Sequence, residues 1–500
     1  MIYIDPPYNT GNDFVYEDDF AQSTDDYIES SGQTDDEGNR LVANTESNGR
    51  FHTDWLNMMY PRMKIARDFL SDDGAIFISI DDNEVENLKK ICDEIFGNGA
   101  FVCQFVWQKR KGGGNDSVKV AIDHEYILVY SKDTQNIRWR IPYEESYLTR
   151  YKYKDEKGRY YYDTLSRSGL QSPIIYDVVC PDGTVIKNGK WQISKKTFEE
   201  GLKSGEVAFL PQSNGGYSVV HKVRVPEGRV KRSIIADVTN KNAADEMDEL
   251  FGNKKIFSNP KPVSLIDQLI DLLPESANMT VMDFFSGSAT TAHSVIKHNV
   301  EKGTNYKFIV VQLPEKLDEN NQDIDKGYKT ICDIAKDRIR KAGKIIIEKQ
   351  KKCLSTSSKT AISNWDIGFR VLKLDSSNMI DVYYKPSDVI NDIFSQTENN
   401  IKEDRTDEDL LFQVMLEISV PLSAKISSEK ICGKKVLIVD DDYLIACFDK
   451  NITDEVVTDI AKRKPQYFVM RDSSASDDSV ITNFETIFQT YSKDTVRKIL

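Results

Sequence analysis

The chain has 500 residues, more than one hydrophobic core usually organises, so we expect roughly two to four domains. With 39% hydrophobic and 29% charged residues, its composition is that of an ordinary globular protein. No run of about 18 apolar residues occurs, so we expect no membrane partner. Seven cysteines without any C-x-x-C pair argue against structural zinc and favour reduced thiols in a cytoplasm. The net charge of −14 would repel a polyanion unless part of the surface is basic.

Strand and helix patterns alternate in the first part of the chain. Met1 to Asp5 is an apolar strand, and Asn9 to Asn48 is a polar, glycine-containing loop. Asp54 to Leu70 has helical periodicity, the strand AIFISI follows, Asn83 to Phe96 is an amphipathic helix, and HEYILVY is a further strand. This alternation predicts a parallel sheet with crossover helices.

The stretch from Asn136 to Ile235 breaks this rhythm. It holds 18 Lys and Arg against 11 Asp and Glu, a net charge of +7, together with 13 aromatic residues. Turn signals interrupt it throughout. We interpret it as an inserted, mostly β module whose charge and rings suit contact with nucleic acid.

The α/β pattern returns after the insert. Ser264 to Leu273, Thr290 to Asn299 and Lys329 to Lys352 are predicted helices, and TVMDFF and YKFIVVQL are predicted strands. LSTSSK, from Leu354 to Lys359, is a linker pattern. Trp365 to Leu500 forms a separate acidic α/β domain with strands such as VLIVDD and YLIACFD.

The first motif, Asp5-Pro6-Pro7-Tyr8, directly follows an apolar strand, where open α/β sheets bind ligands. The Asp5 carboxylate and the Pro6 carbonyl can each accept a hydrogen from an aromatic amino group, whose lone pair is otherwise delocalised. Pro6 and Pro7 stiffen the turn, and the Tyr8 ring can stack on a flipped base. These residues suit amino-group methylation, although a plain strand-ending turn explains the motif equally well.

The second motif, DFFSGSATT, joins a strand to a helix through small residues. Gly287 permits close backbone approach, and the following helix start offers free N–H groups. No G-x-G-x-x-G or P-loop pattern occurs, so a nucleoside carrying an amino-acid carboxylate fits better than a phosphate. Glu315 follows the next strand, where a ribose diol would lie. The alternative is an ordinary strand-to-helix turn.

A third motif, Asn259-Pro260-Lys261-Pro262, precedes a helix. Lys261 could meet the carboxylate of a bound amino acid, but the motif is weak by itself.

The order D-P-P-Y, N-P-K-P, D-F-F-S-G-S-A resembles the β-class amino-methyltransferases. Longer stretches are similar to the modification subunits of Type III restriction–modification systems, including GRFHTDWLNMMYPRMKIARDFL, GAIFISIDDNE, WDIGFRVLKLD and DEDLLFQVMLEISVPLS. The resemblance implies an adenine-N6 DNA methyltransferase that uses S-adenosyl-L-methionine, acts on double-stranded DNA, forms a homodimer, and pairs with a separate helicase/nuclease restriction subunit. N4-cytosine methylation is the alternative reaction.

The resemblance also implies a fold and its domains. The expected fold is a permuted Rossmann-like α/β methyltransferase with an inserted target-recognition domain and a C-terminal α/β domain. Residues 1–135 form the catalytic half, 136–240 the target-recognition domain and 241–353 the cofactor-binding half. Residues 360–500 form the C-terminal domain, for dimerisation or coupling to the restriction subunit.

The resemblance assigns residues to three roles. The catalytic residues are Asp5, Pro6, Pro7 and Tyr8. The cofactor-binding residues are Lys261, Asp283, Phe284, Phe285, Gly287 and Glu315. For DNA contact we add, from their charge, Lys109, Arg110, Lys111, Arg224, Arg229, Lys231 and Arg232. No histidine spacing suits a metal, and none is expected.

Two features depart from the family pattern. Ala289 stands where the family has the second glycine of its cofactor motif. The family also has a longer segment ahead of D-P-P-Y. We therefore expect exposed apolar surface around Ile2 and Ile4, weak cofactor binding and little turnover, or a truncated DNA-recognition subunit without activity.

Overall fold

The structure is a computed structural model that describes residues 1–10, 51–112, 120–135, 137, 139–167, 169–213, 215–274, 278–317, 327–353, 365–380, 401–476 and 478–500. Most of the predicted loop from Asn9 to Asn48, and the predicted linker from Leu354 to Lys359, lie outside the described residues. The chain divides into two compact units, Met1–Phe369 and Arg370–Leu500, which are described separately.

The elements of the first unit follow the predicted alternation closely. Its strands are β1 (Ile2–Ile4), β2 (Ala75–Ile80), β3 (Phe101–Gln108), β4 (His124–Ser131), β5 (Tyr153–Asp155), β6 (Gly158–Thr164), β7 (Ile174–Val179), β8 (Val185–Trp191), β9 (Val207–Pro211), β10 (Tyr217–Arg224), β11 (Ile234–Ile235), β12 (Thr280–Asp283) and β13 (Lys307–Val310). Its helices are α1 (Phe51–Phe69), α2 (Val85–Phe96), α3 (Glu145–Leu148), α4 (Lys195–Lys203), α5 (Asn240–Phe251), α6 (Val263–Ile270), α7 (Thr290–Lys302) and α8 (Ile331–Cys353).

A seven-stranded sheet in the order β11-β3-β4-β2-β1-β12-β13 forms the centre of this unit. Six of its strands run parallel to one another, but β4 is antiparallel to both β2 and β3. The expectation of an all-parallel sheet is therefore wrong. No helix is described between β3 and β4, and a parallel pair needs a crossover connection, so the chain reverses direction there.

Strand β1 lies inside the sheet and is bonded on both sides. Ile2 pairs with Ile76 of β2 and with Met282 of β12. Ile2 and Ile4 are buried on one face and Tyr3 on the other. The expectation of exposed apolar surface around these two isoleucines is wrong, because elements from later in the chain cover them.

Helices cover both faces of the sheet. On the face of Ile2 and Ile4, the apolar stripe of α1, including Trp55 and Met59, is fully buried, and α2 adds Leu88. On the opposite face α6 packs through residues such as Leu265. Because each face has its own hydrophobic cluster, the central strands β1 and β2 are mostly apolar.

The insert is mostly β, as its turn-rich sequence indicates. Strands β5-β6-β10-β9 form an antiparallel sheet, and β7 and β8 form a hairpin. A small core around Trp191, Phe198 and Val219 joins the hairpin, helix α4 and the sheet. The insert thus has a core of its own.

The second unit is a further α/β structure. Its strands are β14 (Ile426–Ile431), β15 (Lys434–Val439), β16 (Leu444–Cys447), β17 (Tyr467–Met470) and β18 (Val496–Ile499), and its helices are α9 (Asp407–Glu417), α10 (Asp454–Lys462) and α11 (Asp478–Tyr491). The strands form one sheet in chain order, antiparallel from β14 to β16 and parallel from β16 to β18. Two buried clusters lie on its faces.

Replacing Phe488 tests the separate stability of this unit. The Phe488 ring is fully buried, with its centroid 5.5 Å from that of Phe468 and 5.2 Å from that of Phe484. We expect Phe488→Ala to lower the free energy of unfolding of the second unit by about 3–5 kcal/mol, because it leaves a cavity.

The chain offers a direct measurement of this effect. All five tryptophans precede residue 370, so their fluorescence follows the first unit alone, whereas circular dichroism follows both. In urea, the dichroism transition should shift and the fluorescence transition should stay. Tyr491→Ala, at a more exposed ring on the same helix, is the control. Equal shifts in both signals would show that the units unfold together.

Candidate active site

Two of the predicted motifs meet at one edge of the central sheet. β1 ends just before Asp5, and its parallel neighbour β12 ends at Asp283. The carboxyl ends of parallel neighbours lie at the same edge, so the D-P-P-Y loop and the D-F-F-S-G-S turn stand side by side. The two motifs are almost 280 residues apart in the chain.

The D-P-P-Y loop is fixed by side chains from α1 and α2. Trp55 Nε1 donates a hydrogen bond to the Pro7 carbonyl at 2.7 Å. Asn9, in a left-handed conformation, donates to the fully buried Glu84 at 2.6 Å, and His52 Nδ1 lies 2.6 Å from the same carboxylate. The sequence analysis missed these anchors, and Glu84 gives no periodic signal that would single it out.

Lys261 contacts the Asp5 carboxylate. Its Nζ is 2.8 Å from Asp5 Oδ1 and 2.9 Å from the Tyr8 hydroxyl, which itself donates to Asp5 Oδ1 at 2.8 Å. The Lys261 side chain is buried, and its ammonium also lies over the rings of Tyr8 and Trp107. The N-P-K-P motif therefore brings its lysine to D-P-P-Y. The assignment of Lys261 to the cofactor stays a prediction that this geometry does not favour.

A second carboxylate, Glu125, completes the cluster. Its Oε2 lies 3.4 Å from Lys261 Nζ and 3.1 Å from the Tyr8 hydroxyl, so Glu125 and Asp5 share the single hydrogen of that hydroxyl. Its Oε1 accepts from Lys109 Nζ at 3.0 Å. Two carboxylates and two ammonium groups thus share one largely buried volume. Sequence reasoning missed Glu125, although an acid within the apolar strand HEYILVY was a usable signal.

Burial and charge compete in this cluster. Burial raises the pKa of Asp5, the neighbouring Lys261 opposes that rise, and Glu125 adds to it. Burial would raise the pKa of Glu125 too, but the two lysines outweigh it and the pKa falls. Burial would lower the pKa of Lys261, but Asp5 and Glu125 outweigh it and the pKa rises, so the ammonium stays charged.

Asp283 fixes the turn of the second motif. Its Oδ1 accepts the Phe285 N–H at 3.1 Å, and its Oδ2 accepts the Thr291 hydroxyl at 2.6 Å. The side chain is buried, and burial raises the pKa of Asp283 to about 7. Both oxygens therefore serve the conformation of the loop.

Gly287 is required by its conformation and by a close neighbour. Its φ is +49°, and a Cβ would lie 3.1 Å from the Phe257 ring. Its N–H donates to the Gln312 side chain at 2.8 Å, and Gln312 in turn donates to Glu315 at 3.2 Å. The predicted cofactor residues Gly287 and Glu315 are thus linked through Gln312, which the sequence analysis did not single out.

Ala289, the departure from the family pattern, adopts the conformation that glycine favours. Its φ and ψ are 63° and 42°. A Cβ costs about 1 kcal/mol in that region, but the Ala289 methyl group is fully buried, which offsets a similar amount. The substitution is therefore tolerated within the same loop geometry.

An apolar cleft of about 290 Å³ opens beside this turn. Phe284 and Phe285 line one side, and Val311 and Leu313 extend it past the end of β13. Helix α1 closes the other side, with Ile65, Phe69 and Arg62. The predicted Phe284 and Phe285 therefore line a cleft beside the second motif.

The residues predicted to contact DNA fall into two groups. Three are engaged within the protein: Lys109 with Glu125, Arg224 with Asp155 and Glu206, and Lys231 with Gln268. The side chains of Arg110, Lys111, Arg229 and Arg232 are exposed. The exposed residues remain the better candidates for contact with phosphates.

Fold and site together define a family. The family model for DNA methylases, N6_N4_Mtase, matches residues 1–359, and the chain belongs to that family.

Among its relatives, the Mod subunit of the Type III restriction-modification enzyme StyLTI of Salmonella typhimurium is 36% identical over 74% of this chain and 56% of its own length. The EcoP15I Mod subunit of Escherichia coli is 33% identical over 69% of this chain and 59% of its own length. The Type II methyltransferase M.KpnI of Klebsiella pneumoniae is 28% identical over 67% and 80%. The chain thus spans less than two thirds of the length of the Type III relatives.

The described part of the chain shows neither a membrane-spanning helix nor a metal-binding cluster. No helix there is long and apolar enough to cross a membrane. Within the same residues, no group of three or more His, Cys, Asp or Glu side chains is arranged to hold a metal ion.

The raised pKa of Asp283 predicts a pH-dependent stability. Between about pH 4 and 7 the folded protein keeps a proton on Asp283 that the unfolded chain releases. The wild type therefore loses stability as the pH rises through this window, whereas Asp283→Asn has no such proton to lose. The difference in free energy of unfolding, variant minus wild type, should therefore increase with pH. Between pH 4 and 8 the increase should be on the order of 2–4 kcal/mol.

Urea titration followed by tryptophan fluorescence, at several pH values, measures this difference. Asp68→Asn, at an exposed carboxylate of α1, is the matched control and should show a constant difference. A constant difference for Asp283→Asn as well would mean that Asp283 is ionised throughout.

Proposed function

We propose that the chain is the modification and recognition subunit of a Type III restriction–modification system. It transfers a methyl group from S-adenosyl-L-methionine to the exocyclic N6 of adenine in double-stranded DNA. The observation that carries the proposal is the Asp5–Tyr8–Lys261 cluster at the sheet edge where β1 and β12 end. The turn after β12 at the same edge lines the apolar cleft. The similarity to Mod subunits supports the particular system.

The cleft and its turn suit the cofactor. The apolar walls formed by Phe284 and Phe285 fit a purine ring, and Glu315 at the next strand end supplies an acceptor for ribose hydroxyls. Gly287, which has no side chain, lets a ligand approach the backbone, and the N-terminus of α7 follows it. Bound S-adenosyl-L-methionine would supply a methyl group on a positively charged sulfur.

The D-P-P-Y residues act on the base. Asp5 accepts a hydrogen bond from the N6 amino group and, with the Pro6 carbonyl, localises the lone pair on nitrogen. Pro7, held by Trp55, fixes the turn, and the Tyr8 ring stacks on the flipped base. As the methyl carbon bonds to N6, its bond to the sulfonium sulfur would break and leave S-adenosyl-L-homocysteine. N6 would give up one proton, which Asp5 is placed to accept. Positioning and hydrogen bonding supply most of the rate.

Recognition falls to the insert of residues 136–240. Its net positive charge supports contact with the DNA backbone, and Arg229 and Arg232 present exposed guanidinium groups. Arg110 and Lys111 add two exposed cations next to Lys109 of the catalytic cluster. Such contacts position the DNA, while base edges carry the sequence information.

The similarity to Type III Mod subunits supports a proposal for the wider assembly. We propose a cytoplasmic homodimer that joins a restriction subunit for cleavage, with the second unit as the coupling or dimerisation domain.

Methyl transfer by the purified chain tests this proposal. The expectation of little turnover rested on exposed apolar surface at Ile2 and Ile4, and both residues are buried. We therefore expect labelled methyl groups in DNA and, after digestion to nucleosides, N6-methyladenosine. N4-methylcytosine would assign the alternative reaction. Asp5→Ala should lower the rate by about 100-fold or more, because the N6 acceptor is lost, while calorimetry should show unchanged cofactor binding.

The control for this experiment is Asp68→Ala, an exposed carboxylate that should leave the rate unchanged. Cofactor binding without any methyl transfer by the wild-type chain would contradict the proposal. Normal transfer by Asp5→Ala would remove Asp5 from the mechanism.

A further inference from the structure

The buried ammonium of Lys261 has a partner for each of its three hydrogens. They face Asp5 Oδ1 at 2.8 Å, the Tyr8 hydroxyl at 2.9 Å and Glu125 Oε2 at 3.4 Å. A lysine so enclosed has no donor left for another ligand. Its position depends on the two carboxylates between which it lies, and one of them, Glu125, belongs to none of the three motifs.

Glu125 is itself oriented by a second lysine. Lys109 Nζ binds Oε1 at 3.0 Å, which turns Oε2 toward Lys261 and toward the Tyr8 hydroxyl at 3.1 Å. Glu125 and Lys109 are both largely buried, with side chains 9% and 18% exposed. An ion pair with this little exposure loses less to solvent screening than a surface pair.

We propose that Glu125, oriented by Lys109, is a positioning residue for methyl transfer. It holds Lys261 and Tyr8 against a single oxygen of Asp5. The two contacts described on the Asp5 carboxylate, from Tyr8 and from Lys261, both fall on Oδ1. Oδ2 is then available for the N6 hydrogen. This inference rests on the proposed function, since it assigns Glu125 a part in that reaction.

The same geometry changes the expected role of Lys109. A lysine that binds Glu125 in the catalytic cluster is not placed to neutralise a phosphate. Its substitution should therefore affect the rate of transfer and its pH dependence, and should leave the salt dependence of DNA binding nearly unchanged. Arg110, the exposed neighbour, should show the reverse.

The simpler alternative is that the Lys109–Glu125 pair only joins neighbouring strands. Glu125 lies opposite Trp107 in the β3–β4 register, so a cross-strand ion pair is sterically natural there. Breaking the Lys109–Glu125 pair would lower the rate of methyl transfer whether its role is structural or positioning. Only the positioning role also changes the ionisation of Asp5, so the pH profile separates the two.

Several charged or titratable groups lie in or around the cluster that contains Asp5. They are Tyr3 on β1, Tyr8, Asp81 after β2, Lys109 at the end of β3, Glu125 on β4, Lys261 and Asp283 on β12. Of these, Glu125 raises the pKa of Asp5 and Lys261 lowers it. Lys109 acts indirectly, because it compensates the charge of Glu125.

Two substitutions should therefore move the pH profile in opposite directions. Glu125→Gln removes a negative charge, so the acidic limb of kcat/KM should move to lower pH. Lys109→Met exposes Asp5 to the uncompensated charge of Glu125, so the limb should move to higher pH. We expect shifts of about half a pH unit or more, and kcat lowered by about 10-fold or more in both.

The measurements use the full chain, with cofactor affinity from calorimetry and the fold checked by tryptophan fluorescence. Cofactor affinity should stay within about 3-fold of the wild type, since neither residue lines the cleft. Glu94→Gln, a partner of Tyr60 on the helical layer, is the matched control and should leave the profile unchanged. If Glu125→Gln fails to fold, the direction of the Lys109→Met shift decides.

The outcomes separate this inference from the proposed function. Slower variants whose acidic limbs do not move, or move in the same direction, would reduce Glu125 and Lys109 to a structural pair and leave the methyltransferase intact. Absence of methyl transfer by the wild type would overturn the proposed function and this inference with it.

Discussion

A buried positive charge is the constraint on which this site depends. The Lys261 ammonium is tolerated in the interior because the carboxylates of Asp5 and Glu125 neutralise its charge. The Tyr8 hydroxyl also accepts one of its hydrogens. Removing one carboxylate would leave an uncompensated charge, a costly state in an enclosed environment. The cluster therefore keeps four segments of the chain in register. These are the loop after β1, the end of β3, the start of β4 and the entry to α6.

The same constraint joins the two halves of the sequence. Asp5 stands near the beginning of the described chain, whereas Lys261 follows the insert. The insert of about a hundred residues thus separates two parts of the chain. Both parts contribute strands to the centre of the sheet. β1 illustrates this, because it has β2 on one side and β12 on the other. Neither half would form the catalytic edge by itself.

Local patterns in the sequence predicted most of the elements and the members of the two principal motifs. Apolar periodicity located α1, α2, α7 and α8 to within a few residues, and the turn-rich, aromatic stretch was correctly interpreted as β. The reversal of β4 was missed because an apolar strand has the same pattern in either direction. Glu125 and Glu84 were missed because single buried acids have no periodicity, and only tertiary contacts give them partners. Lys109 was assigned to phosphates because its basic neighbours suggested a solvated loop, whereas the structure pairs it inside.

The reversed direction of β4 has a consequence for how this site can diversify. β3 ends, and β4 begins, at the edge of the sheet that carries Asp5 and Asp283. The connection from Gln108 to His124 therefore leaves and re-enters the sheet at the rim of the active site. Residues can be inserted into or deleted from its middle without shifting the register of any strand. A change in the length of this connection would therefore alter the rim of the edge that carries Asp5 and Asp283, while the Lys109–Glu125 pair at its base would stay in place.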